Sequence, residues 1–128
     1  LTNVQLRQVT EGIMESPNFA VKNFAVIERL VKTIRSKKNL DPSISYVSKL
    51  LNSKNDLVLK KIGEESAEFI LAAKGGSKKE LISESADLFF HILVSLELCG
   101  VELDEVLDEL HRREGISGID EKNSRPKT

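Results

Sequence analysis

The chain has no tryptophan, one tyrosine, one cysteine and three prolines among its 128 residues. A lone Cys99 closes no intramolecular disulfide, and without a CxxC or a Cys/His cluster there is no zinc site to build, so the chain suits a reducing cytoplasm. With so few prolines and only 7 glycines, collagen-like, Pro-rich and low-complexity classes drop out. Charge of one sign is missing too. Nineteen basic residues face 20 acidic ones, a formal net charge of -1, so there is no global basic footprint for nucleic acid, and the scarce aromatics point the same way. Long apolar runs are also absent. The nearest, Ala86 to Cys99, is interrupted by Asp87, His91 and Glu97 and is shorter than the roughly 20 residues a membrane span needs. The first residues are polar in scatter and do not read as a secretory signal. What is present, 40% hydrophobic and 30% charged residues, is the composition of one folded domain.

Helical periodicity organises the chain. Residues 1–20 read as a lead-in segment or accessory helix ending at the turn signal Ser16-Pro17-Asn18, and 21–116 as the domain. Phe24, Ile27, Leu30, Val31 and Ile34 recur at steps of three and four, which predicts an amphipathic helix from about Val21 to Lys38. Asp41-Pro42-Ser43 interrupts it, and a short helix is expected from about Ser43 to Asn52. A long helix from about Leu57 to Lys74, with Leu59, Ile62, Phe69, Ile70 and Ala73 on one side, stops at Gly75-Gly76. Ser77 with Glu80 fits a capping box that opens a second long helix, closing at Gly100. A last helix is expected from about Leu103 to Glu114, followed by a polar tail, 117–128, that reads as a disordered end or a strap over a neighbour. No period-2 strand and no repeat is found. The fold class is all-α, a hairpin of two long helices plus shorter ones, and its apolar remainder predicts pairing of two chains into a four-helix-bundle-like core.

The long helices carry the chemistry. Lys60-Lys61-Ile62-Gly63-Glu64-Glu65-Ser66-Ala67-Glu68 crowds three carboxylates into about one turn, where like charges repel. On the next helix Glu84, Asp87 and His91 share one narrow stripe, while Leu81, Ile82, Ala86, Leu88, Phe89, Phe90 and their neighbours make the other directions apolar, so this helix is expected to be buried nearly all round. Carboxylates in such surroundings need a partner. A tight turn at Gly75-Gly76 makes the helices antiparallel and brings Glu65, Glu68, Glu84 and Asp87 to one level. Oxygen ligands without cysteine suit Mg²⁺ or Mn²⁺, and Mg²⁺ recruits substrate phosphates, which points to phosphoanhydride or phosphate-ester chemistry. The bland reading makes these acids solvated surface charges paired with Lys60, Lys61, Lys78 and Lys79, and it fits Glu64 best. His91 is either a group beside the metal ligands or a satisfied core histidine. Lys60 and Lys61 are candidates for phosphate contacts or plain solvated lysines. Ser45, Tyr46 and Lys49 either supply hydroxyl and ammonium contacts or pack Tyr46 on the core. Cys99 is expected to be a small buried hydrophobe.

Glu64-Glu65-x-x-Glu68 followed by Glu84-x-x-Asp87 resembles the signature of the all-α, MazG-type nucleoside triphosphate pyrophosphohydrolases. With Asp41-Pro42-Ser43-Ile44-Ser45-Tyr46, Lys49-Leu50-Leu51, Ala72-Ala73-Lys74, His91 and Ser117-Gly118-Ile119-Asp120-Glu121-Lys122, the chain is similar, over about residues 24 to 127, to the phosphoribosyl-ATP pyrophosphohydrolase family of histidine biosynthesis. The resemblance implies Mg²⁺-dependent hydrolysis of 1-(5-phosphoribosyl)-ATP to 1-(5-phosphoribosyl)-AMP and pyrophosphate by a cytoplasmic homodimer, in some organisms fused to phosphoribosyl-AMP cyclohydrolase. It also implies that Glu65, Glu68, Glu84 and Asp87 ligate the metal, that Glu64, Glu65 and Glu68 are catalytic, and that Lys60, Lys61 and Lys49 take substrate phosphates. Lys54 and Leu57 stand where the family pattern has a glycine and a further lysine. Two other functions fit the same residues: a house-cleaning (d)NTP pyrophosphohydrolase of the superfamily, and a non-enzymatic helical dimerisation module.

Overall fold

A computed structural model describes residues 17–53 and 56–126, with side chains from residue 24 onward. Among the described residues the chain is all helical, as the periodicity predicts. It divides into two compact units, 1–53 and 54–128.

The first unit holds α1 (Pro17–Ser36) and α2 (Tyr46–Asn52). Pro17 opens α1 instead of ending a lead-in, because the first helical position needs no N–H and favours the fixed φ of proline. Residues 1–16, the rest of the expected lead-in, lie outside the described residues. The Ser45 hydroxyl caps α2 by accepting the Ser48 N–H at 3.2 Å. From α2 the Ser48 hydroxyl donates to the Leu40 carbonyl and the Asn52 amide to that of Lys38, at 3.0 Å for the latter, so the connecting loop is tied to the helix by side chains. Val47, Leu50 and Leu51 are buried, while Tyr46 and Lys49 face out.

The second unit is built on α3 (Leu57–Gly75) and α4 (Lys78–Cys99), which pack along each other. At the turn, the Gly76 N–H donates to the Ala72 carbonyl at 2.9 Å, and the Ser77 hydroxyl accepts the Glu80 N–H at 3.1 Å to start α4. A side chain at Gly76 has no room: a Cβ there would meet Ala72 Cα and O at 2.9 Å and Glu80 Oε2 at 2.8 Å. At the far end Gly100 adopts φ +72°, with its N–H on Glu97 and the Val101 N–H on Leu96, a helix stop that glycine takes without strain. α5 (Leu103–Arg112) ends two residues before the predicted Glu114.

Three expectations are corrected here. The tail is not disordered over its described part: Gly118–Ser124 forms α6, capped by Ser117, with Glu121 buried beneath Arg112. Arg112 Nη2 donates to both Glu121 oxygens at 2.9 Å and pairs with Glu109 through Nη2 and Nε at 2.7 and 2.9 Å. Arg113 and Arg125 add contacts to Glu109 and Glu121 through Nε at 3.0 and 3.5 Å. These guanidinium hydrogen bonds hold the Glu109 carboxyl down at about 2 and lower that of Glu121 as well.

Nor is α4 buried all round: His91 and Val94 are buried, whereas Ile82 and Phe89 stand 60% and 65% exposed, since in one chain α3 covers a single stripe of it. The buried side of α3 likewise runs through Val58 and Ala72, leaving Leu59 and Ile70 open. Cys99 is exposed, being the last helical residue before the chain turns off at Gly100.

Gly76→Ala is expected to destabilise the protein by roughly 1–3 kcal/mol, the range for forcing a methyl group into occupied space. Urea unfolding checks this, and an unchanged midpoint would contradict the close approach at the turn.

Candidate active site

The stripes along which α3 and α4 face each other are not apolar throughout. Val58, Glu65 and Ala72 recur at intervals of seven, two helical turns, and so share one side of α3, the side that is buried at both ends. On α4 the matching stripe is Glu84, Asp87, His91 and Val94. Packing therefore sends carboxylates to the same place. One oxygen each from Glu65, Glu84 and Asp87 lies within 4.8 Å of the others, the first two side chains half-buried and the third exposed. Glu65 Oε2 and Glu84 Oε2 are buried with no hydrogen-bond partner.

Such an arrangement perturbs the acids. Partial desolvation comes first, and the adjacent Glu68 and Glu65 carboxylates follow, in pushing Glu84 up to about 7. Burial, then the charges of Glu68 and Asp87, raise Glu65, with the Glu84 carboxyl beside it and then His91 working in the opposite direction. Two orphaned oxygens, three convergent carboxylates and no thiolate fit a hard divalent cation that prefers oxygen.

The other residues singled out in the sequence are spread over several elements. Glu68 is exposed, touches Glu84, and lines a groove of about 340 Å³ that runs over Ala72 and Gly76 to Glu80 and Glu84. Glu64 is exposed on another side of α3, paired with Lys61 at 3.4 Å. Lys60 is exposed. His91 is buried, its Nδ1 2.8 Å from the Asp87 carbonyl and its ring edge-on to Phe90 at 5.1 Å. A ring nitrogen next to a carbonyl oxygen carries the proton, so His91 is held by the same turn of α4 that carries Asp87. Lys49, Ser45 and Tyr46 belong to the first unit: Ser45 is buried, Lys49 and Tyr46 are exposed, and Tyr46 is not packed on the core. Glu80 was missed as a groove acid. Its role in the helix start masked it, although its spacing of four from Glu84 puts both on one face.

Comparison with known proteins identifies relatives. Residues 27–114 match the model of the family described as phosphoribosyl-ATP pyrophosphohydrolase. The chain is 53% identical over 100 residues to a protein of Nitrosospira multiformis named phosphoribosyl-ATP pyrophosphatase, covering 78% of this chain and 83% of that one. Proteins of the same name from Nitrosomonas eutropha and Erythrobacter litoralis are 49% and 50% identical, over 78% and 77% of this chain and 86% and 95% of theirs.

A carboxyl raised in the folded state stabilises the fold below its unfolded value and loses that contribution as pH rises through the folded value. For Glu84 that window runs from about 4.5 to about 7. The metal-free protein is expected to lose thermal stability as pH rises through it, and Mg²⁺ to restore stability at pH 8 more than at pH 5. Equal Mg²⁺ shifts at both pH values, read by differential scanning calorimetry, would show that the cluster does not bind the cation.

Proposed function

Since the chain belongs to the phosphoribosyl-ATP pyrophosphohydrolase family, we propose that it hydrolyses 1-(5-phosphoribosyl)-ATP to 1-(5-phosphoribosyl)-AMP and pyrophosphate at the Glu65, Glu84 and Asp87 cluster. It is a hydrolase of histidine biosynthesis. The observation that carries the site is the pair of buried, unpartnered oxygens on Glu65 and Glu84 facing across the hairpin. In this reading Glu65, Glu84 and Asp87 hold Mg²⁺, for which Mn²⁺ can substitute, and Glu68 beside Glu84 completes the set. When bound, the ion would neutralise phosphate charge and lower the pKa of a coordinated water.

The remaining work falls to the chain. Lys60, exposed one to two turns before the acids, meets the phosphate chain. Lys61, tied to Glu64, is oriented by that pair and shares the task. Glu68 is the better candidate than Glu64 for the general base, because it touches the cluster while Glu64 is engaged by Lys61. It takes a proton from the water as the water oxygen bonds to the α-phosphorus and the bond from that phosphorus to the bridging oxygen breaks, releasing pyrophosphate. His91, fixed on the Asp87 carbonyl, keeps that turn of α4 in place.

The uncovered apolar stripes support a homodimer. Leu59 and Ile70 on α3 and Ile82 and Phe89 on α4 are each half or more exposed, a pattern that pairing of the long helices from two chains would cover. The same reading puts the enzyme in the cytoplasm, and among the described residues no helix is long and apolar enough to cross a membrane.

Pyrophosphate release from phosphoribosyl-ATP is expected with Mg²⁺ and not with EDTA. Glu84→Gln should lower it by on the order of 100-fold or more, the scale for deleting one group that stabilises transition-state charge. Release that persists in the variant would remove Glu84 from the site; none from the parent protein would remove the substrate assignment. In sedimentation the chain is expected to be a dimer at micromolar concentration and Phe89→Glu to shift it toward monomer, and a monomeric parent would refute the pairing.

A further inference from the structure

α6 is joined to the rest of the second unit without an apolar core. Of residues 114–126 Glu121 alone is not exposed, and the branched side chains that could have packed the helix down are open, Ile116 at 42% and Ile119 at 73%. α5 has no buried residue either, and among the described residues neither helix packs along another as α3 and α4 do. A helix of seven residues does not persist in water by itself, because its nucleation is unfavourable and too few hydrogen bonds follow to offset it. What holds α6 in place is therefore a single carboxylate.

The contact is made of charge. Arg112 Nη2 donates to both Glu121 oxygens at 2.9 Å and Arg113 Nε lies 3.8 Å from Oε1, both from the end of α5, while Arg125 on α6 itself stands 3.5 Å from the same oxygen. Glu109 prepares the receiving side. It accepts from Arg112 Nε and Nη2 and from Arg113 Nε, so both guanidiniums are oriented by α5 alone. Arg112 and Arg125 are half exposed and Arg113 nearly so, which leaves the contact open to dissolved ions. Between the helices lies a hinge. Gly115 takes φ +77°, and a Cβ there would meet nothing, so the backbone turns at this residue in open space. Ser117 then caps the Asp120 N–H at 3.1 Å, and Asp120 and Glu121 in the first turn suit the positive end of the helix.

We propose that α6 is an ionic latch, which opens about Gly115 and recloses on Arg112 through Glu121, unwinding as it leaves, while the hairpin of α3 and α4 stays folded. Its state follows ionic strength. Apolar burial is not weakened by salt, whereas an ion pair between half-exposed groups loses strength as the screening length falls from about 10 Å at 0.1 M to about 3 Å at 1 M. The latch stands independently of the reaction proposed above, since it uses none of the acids of that site.

Amide hydrogen exchange on the full chain, read in α6 for the latch and around Val94 in α4 for the hairpin, tests this. As sodium chloride is raised from about 0.1 to about 1 M, exchange in α6 is expected to quicken by about fivefold or more and that in α4 to stay within about twofold. Glu121→Gln keeps the shape and removes the charge. It should quicken exchange in α6 by about tenfold or more at low salt and abolish the response to added salt, and Arg112→Gln should do the same. Ile119→Ser, at an exposed position, should leave α6 within about twofold of the parent. Exchange in α6 that ignores both salt and Glu121→Gln overturns the latch, as does exchange that rises equally in α6 and α4, because the two would then open together. An Ile119→Ser effect as large as that of Glu121→Gln overturns it as well, since apolar packing would then hold the helix. So does an α6 that exchanges without protection in the parent at low salt.

Discussion

Two helices pack along stripes that hold carboxylates, and the repulsion among Glu65, Glu68, Glu84 and Asp87 is the constraint around which the second unit is arranged. A partly desolvated carboxylate beside another either takes up a proton or finds a cation. Glu84, raised to about 7, is poised between these outcomes at neutral pH. Burial of Val58 and Ala72 on α3 and of His91 and Val94 on α4 anchors the hairpin on both sides of the acids. The acids are thus kept together by packing energy that they themselves oppose. Sites that store an unfavourable interaction in this way release it on binding.

The turn sets the register of that packing. If α4 were to start a residue later, its stripe would rotate by about 100° and Glu84 would leave the seam. Gly76 prevents this by bringing the backbone against Ala72, and Ser77 starts the next helix at once. The turn and the acidic cluster are therefore parts of one device, and the groove over Gly76 between Glu80 and Glu84 is its open side.

The C-terminal helix meets the problem of a buried acid with the opposite solution. Glu121 is as buried as His91, yet its carboxyl is lowered rather than raised, because Arg112, Arg113 and Arg125 gather around it. A carboxylate satisfied by guanidinium groups has nothing left to offer a metal, whereas Glu65 and Glu84 each keep a bare oxygen. That contrast separates a structural acid from a ligand more sharply than burial does.

Periodicity and punctuation made the long helices legible in the sequence: Ser77 and Gly100 act where they stand as cap and stop, and Glu84, Asp87 and His91 do share a stripe. The EExxE and ExxD spacings also carried the family. Local rules could not show that Glu121 would be buried, since besides Arg125 its partners Arg113 and Arg112 lie eight and nine residues back across a loop, so the tail read as a disordered end or a strap. Helical spacing did set Glu64 apart as the acid furthest from the apolar face, and it turns to Lys61 while Glu65 turns to the seam. The apolar residues of α4 pointed to burial on all sides, but one chain has only α3 to cover them, leaving Phe89 exposed. The sequence by itself therefore determined the two long helices, the turn between them and the acids that share a stripe, because these depend on spacing along a chain of known pitch. Which oxygens lack a partner was decided only by the tertiary structure, because that depends on what another helix brings within reach.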